Sequence, residues 1–496
     1  MNTILNGTKP TSVPAKLGRP TILPSCAIVS NNLSVPGSIH TTSWADRHTC
    51  ERSTPMSLIF HIIRSQFRHT VSPSVAVLLY LLITQGALIA QPNESDNWVA
   101  TWATALVERR EAPQRSTSPE PNAPQEWQPI LVRNPDIHVN NQTLRQIVRT
   151  SVGGEKVRVV ASNVFGTEPL DIGAARLALR TTGSTIDPTS VRTLTFSGRS
   201  VTTVLAGAVA ISDPITLEVP AIADLAIDFY LPGNTASRMS PLTTHSRSLN
   251  TNYLSTAGDH TGETDIPVQT LTESWFFLSR VEVTAPANTG VVVAIGDSIT
   301  DGYGATVDAN NSWPEQLARR FQLANIPMAV ANVGIGGNRV LGDGAGVSAL
   351  ARFDRDVLVQ TGVSHVIVLE GINDIGALGG DPSPSPEALI AGHKQLIARA
   401  HAQGLKIFGA TLTPYEGTVI PGYWTARGDE TRQALNQWIR TSGDYDAVID
   451  FDAATRNPNQ PMWLLERYDV NDHLHPNDAG YKAMADAIDL ALFTAP

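Results

Sequence analysis

Cysteine is nearly missing. The 496 residues hold two, Cys26 and Cys50, and both precede Asn93. The body of the chain therefore offers no disulfide, no thiolate metal site and no cysteine nucleophile. Basic charge is short as well. Against 46 Asp and Glu stand 36 Lys and Arg, a net −10, and the first 91 residues hold seven basic and two acidic ones, leaving −15 on the rest. Such an acidic body disfavours nucleic acid or an anionic membrane surface as partner. No phosphate-cradling glycine loop and no metal-spaced histidine cluster occurs in residues 92–285. His138, His245 and His260 each stand alone there, and a structural role suits them better than a ligand role. After residue 91 no apolar run approaches the ~20 residues that a membrane span needs.

An apolar fraction of 42 % suits globular packing, and the length points to two domains behind a leader. Residues 1–55 are rich in Ser, Thr and Pro and read as disordered, or as the product of an early start codon. From Met56 the pattern changes. Arg64 and Arg68 supply a basic stretch, Val75 to Ala90 is largely apolar, and polar Gln91-Pro92-Asn93 follows. That is the layout of a secretory signal peptide, and it predicts export to the periplasm or the medium. Thr84, Gln85 and Gly86 interrupt the run and argue against a membrane anchor.

Residues 92–285 read as β-rich. A Pro/Glu-rich loop is expected from Arg109 to Gln128. Short runs at Leu144–Val148, Val157–Ala161, Leu177–Arg180, Arg192–Phe196, Ile215–Val219 and Leu225–Leu231 are mostly divided by Pro, Gly, Asp or Ser. Gly153-Gly154 between the first two predicts a hairpin. The spacing predicts an antiparallel β-sandwich, an accessory domain that shapes the neighbouring cleft or binds glycans.

From residue 286 strand and helix patterns alternate. Ala285–Gly290 reads as a linker, and Val291–Ile295 as a strand buried on both faces. A helix at about Trp313–Leu323 is expected to start with a capping box, Ser312 and Glu315. Strands at Met328–Asn332, His365–Leu369, Lys406–Leu412 and Ala447–Phe451 alternate with helices near Leu350–Val357, after Pro386, at Glu430–Arg440 and at Asp478–Leu492. Repeated βα units imply a parallel sheet covered by helices on both faces, so the strand ends share one edge.

Four segments at that edge carry useful chemistry: Gly296-Asp297-Ser298, Asn332–Asn338, Gly371-Ile372-Asn373-Asp374 and Asp472-His473-Leu474-His475-Pro476. Together they permit ester cleavage. A serine hydroxyl attacks only when an imidazole takes its proton. His475 is the candidate base for Ser298, and Asp472, three residues away, can hold its other ring nitrogen. His473 competes for the base role. The tetrahedral oxyanion needs preorganised donors, which Gly337 and Asn373 are placed to supply. Asp297 and Asp374 read as turn acceptors or caps. Tyr415, Tyr423 and Trp424 either stack on a sugar or aryl group or serve packing.

These segments resemble those of the SGNH (GDSL-type) hydrolase family, over about residues 291–490. The resemblance puts Ser298 at the nucleophile position, Gly337 and Asn373 with Ser298 at the oxyanion positions, and Asp472 and His475 at the Asp-x-x-His pair. It implies a flavodoxin-like three-layer α/β/α fold and metal-independent ester hydrolysis with no cofactor. Ile372 stands where a second Gly is frequent. Asp308–Pro314 resembles the arylesterase/acylhydrolase branch found with xylan-degrading systems, and the β-rich region before the hydrolase resembles secreted multidomain members. The expected substrate is a small-molecule or carbohydrate-linked ester.

Two rival readings stay open. In a metallophosphoesterase Asp297, Asn373, His473 and His475 would bind metal, although an Asp-x-His ligand after a first core strand is missing, and Asp136-Ile137-His138, which has the letters, lies in a polar segment of the other domain. The other is a non-catalytic glycan-binding protein with a relic site.

Overall fold

The computed structural model describes residues 96–109, 138–235, 241–376 and 383–494. The leader, the body of the Pro/Glu-rich loop and Asp136 lie outside them.

Val291, Val292, Val293, Ala294 and Ile295 are all fully buried, as an apolar β-branched run in a sheet covered on both faces must be. Their strand, Gly290–Gly296, pairs in parallel with Met328–Gly334 on one side and Val363–Leu369 on the other. Lys406–Ala410 and Ala447–Ile449 complete a five-stranded parallel sheet beyond the latter. In chain order the strands run 2-1-3-4-5, so the order reverses beside the first strand. In such sheets the crevice at the reversal, outside the carboxyl ends, is where ligands bind.

The helices between these strands are Trp313–Leu323, Ala349–Phe353, Pro386–Ala402, Ala426–Thr441 and Asp478–Asp486. Ser385 caps its helix as expected, accepting from Ala388 N. The capping box does not form. Ser312 makes no side-chain cap bond, and its buried hydroxyl has no hydrogen-bond partner among the described residues. Phe451 begins a short helix, with Asp450 as its cap, rather than ending a strand. The closing helix stops at Asp486 and resumes as a 3-10 turn at Leu490–Phe493.

The region before Gly290 is strand-rich and antiparallel. A five-stranded sheet includes Trp98–Ala103, Leu278–Thr284, Gly154–Ser162 and Val209–Ile211, with Ile215–Val219 also on Gly154–Ser162. A seven-stranded sheet has Asn140–Arg149 and Asp224–Asn234 at its centre. A three-stranded sheet joins Val107–Arg109, Leu242–Ser246 and Ser274–Phe276. The hairpin expected at Gly153-Gly154 is absent, because Asn140–Arg149 and Gly154–Ser162 belong to different sheets. Neither glycine adopts the positive φ that a two-residue hairpin turn needs. They serve close approach instead: a Cβ on Gly153 would lie 2.4 Å from Val219 O, and one on Gly154 2.2 Å from Thr284 O.

The described residues fall in one compact unit. The strand-rich region lies against the edge strand Met328–Gly334, where Val330 N donates to Ser151 Oγ at 3.0 Å. Gln322 Nε2 donates to Ser151 O, and Ala100 N donates to Thr361 O. The edge of the parallel sheet is thereby covered. Among the described residues no helix is long and apolar enough to cross a membrane.

Candidate active site

The strand Gly290–Gly296 hands the chain to a single helical turn, Ser298–Asp301. Asp297 caps it, accepting from Ile299 N at 2.9 Å. The turn presses on the end of the neighbouring strand. A Cβ on Gly334 would sit 2.3 Å from Asp301 N and 2.8 Å from its Cα, so only glycine lets the two backbones meet.

Ser298 Oγ lies 2.8 Å from His475 Nε2. His475 Nδ1 lies 2.6 Å from Asp472 Oδ2, and the other oxygen of Asp472 accepts from the N–H groups of Leu474 and His475. A carboxylate accepts, so the ring proton belongs on Nδ1, and Nε2 is free to take the proton of Ser298. Burial alone would raise the Asp472 carboxyl, but the hydrogen bonds from the His475 ring and from the N–H groups of His475 and Leu474 hold it below its usual value. The Tyr303 ring packs on His475 at 4.2 Å, and the Arg247 guanidinium, from the strand-rich region, lies over Tyr303 at 4.8 Å.

His473 is directed elsewhere. Its Nδ1 meets Asp469 Oδ2 at 2.5 Å, and its ring contacts Trp463. Among the described residues no group of three or more His, Cys, Asp or Glu side chains is arranged to hold a metal ion.

The loop after the second strand passes Ser298: a Cβ on Gly336 would lie 3.9 Å from the Ser298 Cβ. Gly337 follows at φ +79°, a conformation that favours glycine. Asn373, from the turn Ile372–Ile375, donates through Nδ2 to Asn338 O at 3.0 Å and accepts from Tyr423 OH at 2.8 Å. Those two bonds fix which end of the amide is nitrogen, and that nitrogen keeps a second proton. Tyr415 and Tyr423 are buried and in T-shaped contact rather than offered to a ligand. Asp374 accepts from the N–H groups of Val340 and Leu341 and so ties down the Gly336–Gly337 loop from its far side.

Sequence reasoning missed the charges beneath the site. Arg352 is fully buried and joins three strand ends. It donates to Gly296 O at 3.1 Å, Val333 O at 2.7 Å and Asn338 Oδ1 at 2.9 Å, and lies 3.8 Å from Glu370 Oε2. Glu370 is fully buried, and among the described residues neither carboxyl oxygen has a side-chain hydrogen-bond partner. Asp297 is also fully buried, and its Oδ2 has no hydrogen-bond partner among the described residues. Burial pushes Asp297 up to about 7, reinforced by the charges of Asp374 and Asp301 against the Ile299 N–H. Burial and the Asp297 charge push Glu370 up as well. A carboxyl raised on folding binds its proton more tightly in the native state. Its contribution is present below the unfolded carboxylate range and is lost as pH rises towards 7. Urea unfolding of the native protein is therefore expected to show stability falling between pH 4.5 and 7.5, by about 1–3 kcal/mol. Asp297→Asn should make that slope shallower, with Glu370 and Glu315, also raised by burial, still contributing to it.

Residues 294–483 match the GDSL-like Lipase/Acylhydrolase family. No curated protein matches the chain. Solved structures similar to it include a lipolytic protein of the G-D-S-L family from Desulfitobacterium hafniense, 25 % identical over 40 % of this chain and 97 % of that one, TM-score 0.32. A GDSL-like lipase from Bacteroides thetaiotaomicron is 19 % identical over 42 % of this chain and 89 % of its own, TM-score 0.33. An acetyl xylan esterase from Geobacillus stearothermophilus is 22 % identical over 40 % of this chain and 94 % of its own, TM-score 0.32.

Proposed function

With residues 294–483 a GDSL-like lipase/acylhydrolase domain acting on ester bonds, we propose that the chain is a serine-dependent carboxylic ester hydrolase working through an acyl-enzyme. One observation carries the reading: Ser298, His475 and Asp472 form a continuous buried relay, 2.8 Å and 2.6 Å between successive side chains. In the first step Ser298 Oγ bonds to the acyl carbon while its proton passes to His475 Nε2. The carbonyl oxygen becomes an oxyanion facing the N–H groups of Ser298 and Gly337 and the amide of Asn373. On collapse the bond to the leaving alkoxide breaks, and His475 returns the proton to it. Water then attacks the acyl-enzyme by the same route in reverse, giving the carboxylic acid and free serine. Asp472 orients the ring and stabilises its charged form.

The acyl group on this reading is short, with acetyl esters of plant polysaccharide the first substrates to test. The support is the resemblance of Asp308–Pro314 to the arylesterase/acylhydrolase branch. The leader reads as an export signal, so the mature enzyme would act outside the cytoplasm. The strand-rich region reads as a β-sandwich, on the support of its two larger antiparallel sheets contributing to one buried apolar cluster.

A fluorophosphonate probe should label Ser298 and no other serine, and ester turnover should survive a chelator. Acetylated xylan and p-nitrophenyl acetate assayed side by side would rank the substrate classes. Phosphomonoesterase activity lost on chelation would favour the metal-dependent reading. No labelling and no turnover, with glycans still bound, would favour the non-catalytic one.

A further inference from the structure

His245 belongs to the strand-rich region, on Leu242–Ser246 of the three-stranded sheet, and it reaches the hydrolase site. Its Nδ1 lies 2.7 Å from Ala105 O and its Nε2 3.0 Å from Asp301 Oδ1. Asp301 ends the turn that begins with Ser298. Its second oxygen, Oδ2, accepts from Gly336 N at 3.1 Å. Gly336 precedes Gly337 and passes directly beside Ser298. Three separate segments therefore meet through one carboxylate: the nucleophile turn, the glycine loop and a strand from outside the hydrolase domain.

Both neighbours of the imidazole are acceptors. A backbone carbonyl can only accept, so Nδ1 carries a proton. Asp301 already accepts from Gly336, and as a carboxylate it calls for a proton on Nε2 too. His245 is 2 % exposed and the Trp275 ring packs on it at 5.5 Å, so water cannot substitute for either partner.

Resting on the hydrolase reading above, we infer that His245 is a positioning residue, protonated on both ring nitrogens, which holds Asp301 and through it aligns the Gly336–Gly337 loop with the oxyanion. Burial by itself lowers the imidazole's affinity for its proton. The Asp301 charge and the bonds to Asp301 and Ala105 outweigh that and the opposing Arg352 charge, so its pKa is raised. The strand-rich region on this account supplies part of the catalytic geometry.

The charge is read without substrate. Nitrogen-15 spectra of the histidine rings in the full chain should show His245 protonated on both nitrogens at pH 7.5, and Asp301→Asn should remove one of those protons. Kinetics on p-nitrophenyl acetate then read the positioning. His245→Gln keeps one neutral donor, and it should lower kcat by roughly 10²-fold while KM changes little, since a loop displaced by about an ångström costs that much. His245→Gln combined with Asp301→Asn should be no slower than Asp301→Asn alone. A His245 ring with a bare nitrogen at pH 7.5 would overturn the inference, as would a His245→Gln enzyme with wild-type kcat. If His245→Gln does not fold, the wild-type spectrum still decides. Wild-type protein that neither takes the fluorophosphonate label nor turns over an ester counts against the hydrolase reading, whatever the state of His245.

Discussion

Ser298→Ala is expected to lower kcat on p-nitrophenyl acetate by about 10⁴–10⁶-fold, with the thermal midpoint unchanged. The substitution removes one oxygen from a side chain only 9 % exposed and leaves Asp297, which caps the turn, in place. What it removes is the atom that would bond to the acyl carbon. His475→Ala should be comparably severe, because a hydroxyl with no base beside it stays protonated. The double variant should be no worse than either single one, since the two act as a unit. Asp472→Asn should cost up to about 10⁴-fold, by disturbing ring orientation rather than removing the proton acceptor. Steady-state kinetics, with circular dichroism to verify the fold, check all four. A His475 variant that keeps full activity while a His473 variant loses it would move the base, although His473 is paired with Asp469 on the far side of the loop.

Arg352→Met is expected to destabilise the protein by about 3–5 kcal/mol, the cost of removing one partner from a buried charge network. Methionine matches much of the volume but none of the donors. It would remove the guanidinium that now reaches Gly296 O, Val333 O and Asn338 Oδ1, of which Gly296 O keeps the Ile335 N–H. It would also leave Glu370 buried with no positive charge at 3.8 Å. Adding Glu370→Gln should recover part of the loss, because the uncompensated carboxyl goes with the charge that answered it. Urea unfolding of the wild type and the two variants measures both. Activity should fall too, since Gly296 leads into the nucleophile turn and Asn338 follows Gly337.

Local patterns reached further than long-range ones. The five parallel strands were legible because each is an apolar, β-branched run followed by polar or glycine residues. The relay was legible because each of its residues sits beside a recognisable strand end or helix start. Arg352 was not, since an arginine within Ala349–Phe353 looks like any solvated helix residue until the strand ends converge on it. Nor was His245, which gives no local signal 56 positions from Asp301. Gly153-Gly154 misled for a related reason. Adjacent glycines mark either a turn or a backbone pressed by a neighbour, and here the neighbours, Val219 and Thr284, are distant in sequence. Ser312 and Glu315 have the letters of a capping box without the bond, so the letters alone did not decide.

The seam at Met328–Gly334 bears on how the chain can be divided. A polypeptide begun at Gly290 would present that strand's Val330 amide without Ser151 to receive it. It would also lack Trp98–Ala103, the strand that now packs beside Met328–Gly334. Such a fragment would be prone to stack edge to edge with its own copies, so a shortened enzyme that keeps this edge covered should begin no later than Asp96.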